Sequence, residues 1–214
     1  MIERLVPAAV ATAEHFGEPD DAPLFPAEQE RIARAVDKRR REFSSARWCA
    51  RQAMAQLGVP AAAVLPGERG APQWPTGVVG SMTHCEGYRA AALGRAQTVR
   101  TIGIDAEPHG PLPDGVLGAV SLPEERDWLQ AASAGLHWDR LLFSAKESTY
   151  KAWFPLTGRW LGFEDARIRF DPTGTFTATF LVPGPKVLGQ QLSGFTGRWL
   201  VSDGLALTAV ALSV

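Results

Sequence analysis

The stretch from Phe143 to Phe154 constrains the fold more than any other part of this sequence. Its apolar side chains recur with the spacing of one buried helical stripe, at Leu142, Ala145, Ala152 and Leu156. Pro155 is expected to end the helix, because the residue before a proline is pushed out of the helical region. Ser144, Glu147 and Lys151 fall three and four positions apart, so they share the opposite face. Taken alone, such a face most often carries a surface ion pair, unless a second acidic element lies beside it.

Composition limits the classes of protein that remain possible. The chain has 214 residues, 45% hydrophobic and 21% charged, so it can bury a core as one large domain or two small ones. A net charge of −1 argues against a general nucleic-acid binder. Cys49 and Cys85 lack metal-ligand spacing and are too few for a disulfide framework. With no signal-peptide core and no run of about 18 apolar residues, the sequence predicts a cytosolic protein outside the membrane.

The order of the predicted elements repeats along the chain, which indicates an α+β architecture of two similar halves. Besides the central helix, helices are predicted at 26–36, 45–57 and 122–134. The prolines before residue 27 predict an irregular start. Strands are predicted at 78–83, 88–93, 100–105, 166–170, 175–181, 196–201 and 205–212. The loop at 108–113 would then divide the chain into halves of residues 1–108 and 109–214.

The strand that ends in Asp105 and Glu107 supplies the second acidic element. Side chains alternate along a strand, so with Ile102 and Ile104 in the core the two acids share the other face. Their mutual repulsion would be relieved by a hard divalent cation such as Mg²⁺, with Glu147 as a third ligand. Two solvated acids at a strand exit remain an equally open interpretation. Gly103 would let another backbone or a ligand approach closely.

Two further segments offer groups that bind phosphate. The predicted hairpin tip at 80–88 brings Ser81, Thr83 and His84 together, although the hydroxyls also suit ordinary turn chemistry. Arginines occur at Arg39, Arg40, Arg41, Arg47, Arg51 and Arg69. A guanidinium fork suits phosphate, but a run of charges is most often a solvated helix face.

Three segments in this order resemble one family, the larger monomeric 4′-phosphopantetheinyl transferases that act on carrier proteins of secondary metabolism. They are G-S-M-T-H-C from Gly80, G-I-D-A-E from Gly103 and F-S-A-K-E-S-T-Y-K-A from Phe143. The S-x-T-H-C form is similar to the actinobacterial and enterobactin-synthetase branch. The resemblance covers about residues 39–170 and implies two pseudo-symmetric α+β halves with coenzyme A in the cleft between them.

The resemblance also implies roles for single residues. Mg²⁺ would be held by Asp105, Glu107 and Glu147 together with the pyrophosphate of coenzyme A. The phosphates would be bound by Arg39, Arg40, Arg47, Arg69, Ser81, Thr83, His84, Lys146 and Lys151. Glu147 would accept the proton of the attacking serine, directly or through water, and Lys151 would steady charge on the leaving side. These two are the expected catalytic residues.

The partner implied is an apo acyl or peptidyl carrier protein, served by a monomeric transferase with no nucleic acid or membrane involved. The residues do not distinguish polyketide, non-ribosomal peptide and fatty-acid carriers. Leu112, Val116 and Leu117 in the loop 110–122 are candidates for docking it, or equally for tucking under their own loop. Two other functions stay open: a Mg²⁺-dependent phosphohydrolase acting on coenzyme A or a related nucleotide, and a non-catalytic coenzyme A-binding module.

Overall fold

The computed structural model describes residues 1–132 and 134–214. Its helices are α1 (Pro26–Ile32), α2 (Asp37–Gln56), α3 (Val116–Val120), α4 (Pro123–Ala131) and α5 (Trp138–Thr157). The strands of the first part are β1 (Val10–Phe16), β2 (Leu65–Pro66), β3 (Pro72–Gln73), β4 (Val78–Cys85), β5 (Tyr88–Arg95) and β6 (Val99–Pro108). Those that follow are β7 (Ala166–Asp171), β8 (Thr175–Phe180), β9 (Lys186–Val187), β10 (Gln190–Gln191), β11 (Gly194–Ser202) and β12 (Leu205–Ser213). The predicted α+β class is confirmed.

Two antiparallel sheets contain eight of these strands, and β2-β3 and β9-β10 form two small pairs of their own. One has the order β1-β5-β4, and the other has the order β6-β12-β11-β8-β7. The strand β6 therefore lies at an edge of the second sheet, paired with β12 and not with β5, its neighbour in sequence. Two hydroxyls join the sheets there, because the N–H groups of Ile104 and Ala106 donate to Ser81 Oγ and Thr83 Oγ1, each at 3.1 Å. Ser81 and Thr83 lie within β4 and not at the predicted hairpin tip, so the junction brings β4 itself beside the acidic end of β6.

The helix α5 packs across β6 and β12, and small residues allow the close approach. A Cβ on Gly103 would lie 1.9 Å from the carbonyl oxygen of Ser148, so only glycine fits where β6 passes under the helix. Thr208 of β12 exchanges buried hydrogen bonds with Ser144 and Ser148 across the same contact. The predicted close approach at Gly103 is thus made by a helix backbone.

Each sheet has its own helical cover. The helix α2 lies on the three-stranded sheet, where its buried residues Cys49, Ala53 and Met54 pack against Ala91 and Leu93 of β5. The helix α5 covers the five-stranded sheet through residues such as those in its predicted apolar stripe. In the described part of the chain, no helix combines the length and the apolar character needed to cross a membrane.

Three details differ from the sequence prediction. The start of the chain is not irregular, because β1 forms from Val10 to Phe16 between the prolines and pairs with β5. The helix α2 begins at Asp37 and not near residue 45, so the basic run is its first turns. Pro155 does not end α5, which continues to Thr157 before Gly158 turns left-handed at φ 61°. A proline in the last turn removes a single backbone hydrogen bond, which such a well-packed helix tolerates.

The predicted docking loop contains α3, and its apolar side chains Leu112, Val116 and Leu117 are half-buried. Leu117 packs against the core beneath the five-stranded sheet. The N–H group of Leu112 donates to Asp139 Oδ2 at 2.8 Å, which holds the loop against the start of α5. The loop was predicted either to dock a carrier or to pack its apolar side chains beneath itself. Leu117 is packed in the second way.

Candidate active site

A cleft of about 960 Å³ opens between α2, β4, the loop at 66–74 and α5. Its lining includes five basic side chains, Arg31, Arg39, Arg47, Arg69 and Lys151. His84 and Ser81 of β4 reach it, as does Glu147 of α5. Residues distant in sequence therefore meet around one concave, basic space suited to an anionic ligand.

Arg47 and His84 show how this cleft is built. Arg47 is buried, and its Nε donates to the carbonyl oxygen of Val64 at 2.8 Å. Burial lowers the pKa of Arg47 to about 10, against the opposing charge of Glu28, so the guanidinium stays charged at neutral pH. Burial also lowers the pKa of His84, while the nearby carboxylate of Glu42 raises it. The side chain of Arg39 is 56% exposed.

Arg40 was predicted to bind phosphate, and the structure turns it elsewhere. Its Nε donates to the carbonyl oxygen of Ala35 at 2.8 Å and its Nη2 to that of Ala33 at 2.5 Å. These bonds satisfy backbone carbonyls between α1 and α2, and Arg40 does not line the cleft. Arg51 likewise pairs with the buried carboxylate of Glu28, at 3.2 Å. Of the arginines on α2, Arg39 and Arg47 line the cleft.

Ser81 and Thr83, which were predicted to bind phosphate, are buried and already bonded to β6. Ser81 still lines the cleft, whereas Thr83 lies behind it. The Thr83 hydroxyl, 3.1 Å from the Ala106 nitrogen, is also 3.4 Å from Asp105 Oδ1. Thr83 therefore helps to orient an acidic side chain of the site.

Lys146 was predicted to contact pyrophosphate, and the structure places its ammonium group against other partners. Its Nζ donates to Glu125 Oε2 at 2.8 Å and to the carbonyl oxygens of Phe163 and Ala166 at 2.6 and 2.9 Å. All three ammonium donors are used, and only 2% of the side chain is exposed. Adjacent helical residues point about 100° apart, so Lys146 faces the core when Glu147 faces the cleft.

Lys151 links the cleft to the acidic end of β6. Its Nζ donates to Asp105 Oδ1 at 2.7 Å and to the carbonyl oxygen of Ile104 at 3.1 Å. The other oxygen of this buried carboxylate, Oδ2, finds no hydrogen-bond partner among the residues that the structure describes. A buried carboxylate oxygen without a donor is an open position for a cation.

The other two predicted metal ligands differ from each other. Glu107 Oε2 accepts a hydrogen bond from Arg140 Nη1 at 3.0 Å. Within residues 1–132 and 134–214, no hydrogen bond or ion pair holds the carboxylate of Glu147. Burial raises the pKa of both glutamates, and the charge of Asp105 raises each further, so both lie within its electrostatic reach. In the described part of the chain, no three His, Cys, Asp or Glu side chains form a ready metal-binding group.

Sequence reasoning missed some residues of this site. Arg140, in the first turn of α5, also donates to the carbonyl oxygens of Gly110 and Pro111, which pins the loop after β6. Arg31 lines the cleft from the end of α1, where a basic residue ordinarily serves the helix dipole. Tyr150 lines the cleft and also a neighbouring small pocket of about 80 Å³. Only its position three residues after Glu147 could have indicated it.

Comparison with known proteins matches two family models to this chain. A family model described as the 4′-phosphopantetheinyl transferase N-terminal domain matches residues 27–94. A second, described as the 4′-phosphopantetheinyl transferase superfamily, matches residues 101–204. The boundary between the two matches falls just before β6.

Three curated relatives match nearly the whole chain. The chain is 56% identical to the 4′-phosphopantetheinyl transferase Svp of Streptomyces mobaraensis, over 100% of this chain and 89% of that protein. It is also 56% identical to the 4′-phosphopantetheinyl transferase Npt of Nocardia iowensis, over 99% of each chain. The identity to the 4′-phosphopantetheinyl transferase PptT of Mycobacterium tuberculosis is 52%, over 99% of this chain and 98% of that protein.

Proposed function

The chain belongs to the 4′-phosphopantetheinyl transferase superfamily, and we propose that it transfers the phosphopantetheine arm of coenzyme A to a serine of an apo carrier protein. Adenosine 3′,5′-bisphosphate is the product released. The resemblance carried by the three sequence segments is confirmed by these full-length relatives. The proposed carriers are acyl or peptidyl carrier domains. A panel of apo carrier proteins would identify which of them it modifies.

One observation carries the proposal for the site: Glu147 and Lys151 face a basic cleft while Lys151 holds the buried Asp105. Coenzyme A is polyanionic, and the cleft supplies arginines, His84 and a lysine to it. A volume of about 960 Å³ suits a cofactor-sized ligand. A hydrolase or a silent binding module would use the same cleft, but the named activity of the relatives favours transfer to a carrier.

We infer that Asp105 and Glu147 are the main protein ligands of Mg²⁺ and that Glu107 is a third candidate ligand. The open Oδ2 of Asp105 and the unheld carboxylate of Glu147 suit a hard cation. Mg²⁺ usually takes one or two carboxylates and completes its shell with substrate phosphates and water. Glu107 can join through Oε1, because the bond from Arg140 occupies only Oε2. A bound cation would neutralise the diphosphate as charge develops at the transferred phosphorus.

The chain's own residues then divide the remaining work. Arg39, Arg47 and His84 bind the phosphate groups and orient the ligand along the cleft. Lys151 Nζ, which already contacts Asp105, stabilises negative charge on the leaving phosphate. Burial raises the pKa of Glu147 in the metal-free site, whereas a bound cation would lower it. Acceptance of the serine proton through one water therefore fits its role as a ligand better than direct acceptance.

The test is incubation with coenzyme A, Mg²⁺ and a purified apo carrier protein. We expect a mass gain of one phosphopantetheine group on the carrier and an equal release of adenosine 3′,5′-bisphosphate. Bisphosphate without carrier modification would instead indicate the hydrolase. Binding of coenzyme A with neither product would indicate the non-catalytic module.

A further inference from the structure

Glu42 is an acid in a cleft that otherwise attracts anions. Of the described residues that line the cleft, the acidic ones are Glu42 and Glu147. Glu147 lies beside Lys151, where the proposed chemistry uses it. Glu42 lies on α2, among the residues expected to bind phosphate, and nothing in the proposed reaction requires a carboxylate there. Its position therefore calls for a physical explanation.

The partners of Glu42 are two of the proposed phosphate-binding residues. Its Oε2 is 3.4 Å from His84 Nε2 and 4.0 Å from Arg39 Nη1. Both distances exceed the 2.7–2.9 Å of a charge-assisted hydrogen bond. By contrast, Arg41 on the same helix holds Glu18 at 2.8 Å, outside the cleft lining. Glu42 thus opposes the charge of Arg39 and lies beside His84 without fixing either of them.

A phosphate and a carboxylate compete for the same donors. The arriving phosphate needs the N–H groups of His84 and Arg39, and its charge repels a carboxylate a few ångströms away. Because the Glu42 side chain is 21% exposed, it can swing towards water at small cost once its partners are taken. A carboxylate that oriented His84 for binding would instead be expected at normal hydrogen-bond distance, as carboxylates that orient a histidine ring usually are.

We propose that Glu42 is a displaceable counter-ion that occupies the phosphate-binding groups of the empty cleft and weakens retention of adenosine 3′,5′-bisphosphate after transfer. This inference rests on the proposed function, since it takes the bisphosphate as the product. The consequence is faster product departure in exchange for weaker ground-state binding. Uniform binding of that kind adds nothing to turnover once the cleft is saturated.

The experiment is a calorimetric titration of adenosine 3′,5′-bisphosphate into the full-length protein and its variants. Glu42→Gln should bind the bisphosphate about three- to tenfold more tightly, because a partly screened repulsion is removed. Glu42→Ala should shift in the same direction. Glu42→Asp, which keeps the charge, should stay near the parent value. Glu18→Gln is the matched control, since it removes an acid paired with the same helix outside the cleft.

A double-variant comparison separates this role from a structural one. In a His84→Gln background the gain from Glu42→Gln should shrink, because one of the competed donors is gone. Unchanged or weaker binding by both Glu42→Gln and Glu42→Ala would overturn the inference and indicate that Glu42 positions His84. Failure of the parent protein itself to bind the bisphosphate or modify a carrier would count against the proposed function instead.

Discussion

Lys151 Nζ lies 2.7 Å from Asp105 Oδ1, although the two residues are 46 positions apart in the chain. This single ion pair fastens the central helix α5 to the acidic end of β6, and it leaves the second carboxylate oxygen of Asp105 open. The rest of the site is arranged around it, with Glu147 one helical turn before Lys151 and Thr83 behind Asp105.

Glu147→Gln should abolish most transfer and leave stability unchanged. No partner in the described chain loses a bond, while a group that accepts the serine proton typically contributes about 10²–10⁴-fold to the rate. The measurement is carrier modification by mass spectrometry beside a thermal melt. Glu164→Gln, an exposed acid further along the chain, is the control. Transfer within a few-fold of the parent rate would remove Glu147 from the catalytic set.

Asp105→Asn should weaken binding of a divalent cation independently of any effect on turnover. The substitution replaces one anionic oxygen, and the amide keeps the shape. Binding of Mn²⁺ in the presence of coenzyme A, followed by electron paramagnetic resonance, reports the change directly. Asp139→Asn, which alters an acid that holds Leu112 and not the cleft, should bind the cation like the parent. Equal affinity in both variants would contradict the assignment of Asp105.

Lys146→Met should destabilise the protein by about 3–5 kcal/mol, because it leaves the buried Glu125 without its cation. Chemical denaturation measures the loss. The pair Lys146→Met with Glu125→Gln should recover part of it. If Lys146 instead contacted pyrophosphate, the single substitution would raise KM for coenzyme A with the free energy of unfolding unchanged, and that outcome would restore the original prediction.

Gly103→Ala should also unfold or strongly destabilise the chain, by about 3 kcal/mol or more. The new Cβ would lie 1.9 Å from the Ser148 carbonyl oxygen and 2.6 Å from the Ala152 nitrogen, and backbone atoms cannot move aside cheaply. Gly118→Ala is the matched control, since nothing lies within 4 Å of its added Cβ. A melting temperature for Gly103→Ala equal to that of the control would show that α5 and β6 pack less closely than described.

The pKa of His84 should lie below its ordinary value of 6.5, because burial disfavours the charged ring more than Glu42 favours it. Removing the carboxylate in Glu42→Gln should lower this pKa further. Arg39, Lys151 and Arg89 also act in that direction. A folded-state pKa below the unfolded one means that protonating His84 costs stability as pH falls through this range. Titration of the imidazole by NMR gives both values, and a higher pKa in the variant would contradict the charge arrangement.

Local patterns were sufficient for much of the fold and for the family. The stripe at Leu142, Ala145 and Ala152 indicated α5, and alternating residues indicated the main strands, because a helix or strand repeats over a few neighbours. The three segments predicted Asp105, Glu147 and Lys151 as site residues, and their roles stay a proposal. β1 was missed because its partner, β5, lies more than seventy positions later in the register Phe16 to Tyr88, and no local pattern records a distant pairing.

The sequence by itself determined that Glu147 and Lys151 share a helical face and that the chain is a phosphopantetheinyl transferase, since spacing and motif order are local properties. Only the tertiary structure decided the partners of the charges beside them. In the fold, Lys146 is buried against Glu125, Glu107 pairs with Arg140, and Arg40 donates to backbone carbonyl oxygens. The physical reason is that a charged side chain takes whichever partner the packing brings within hydrogen-bond distance, and that partner comes from elements far away in the chain.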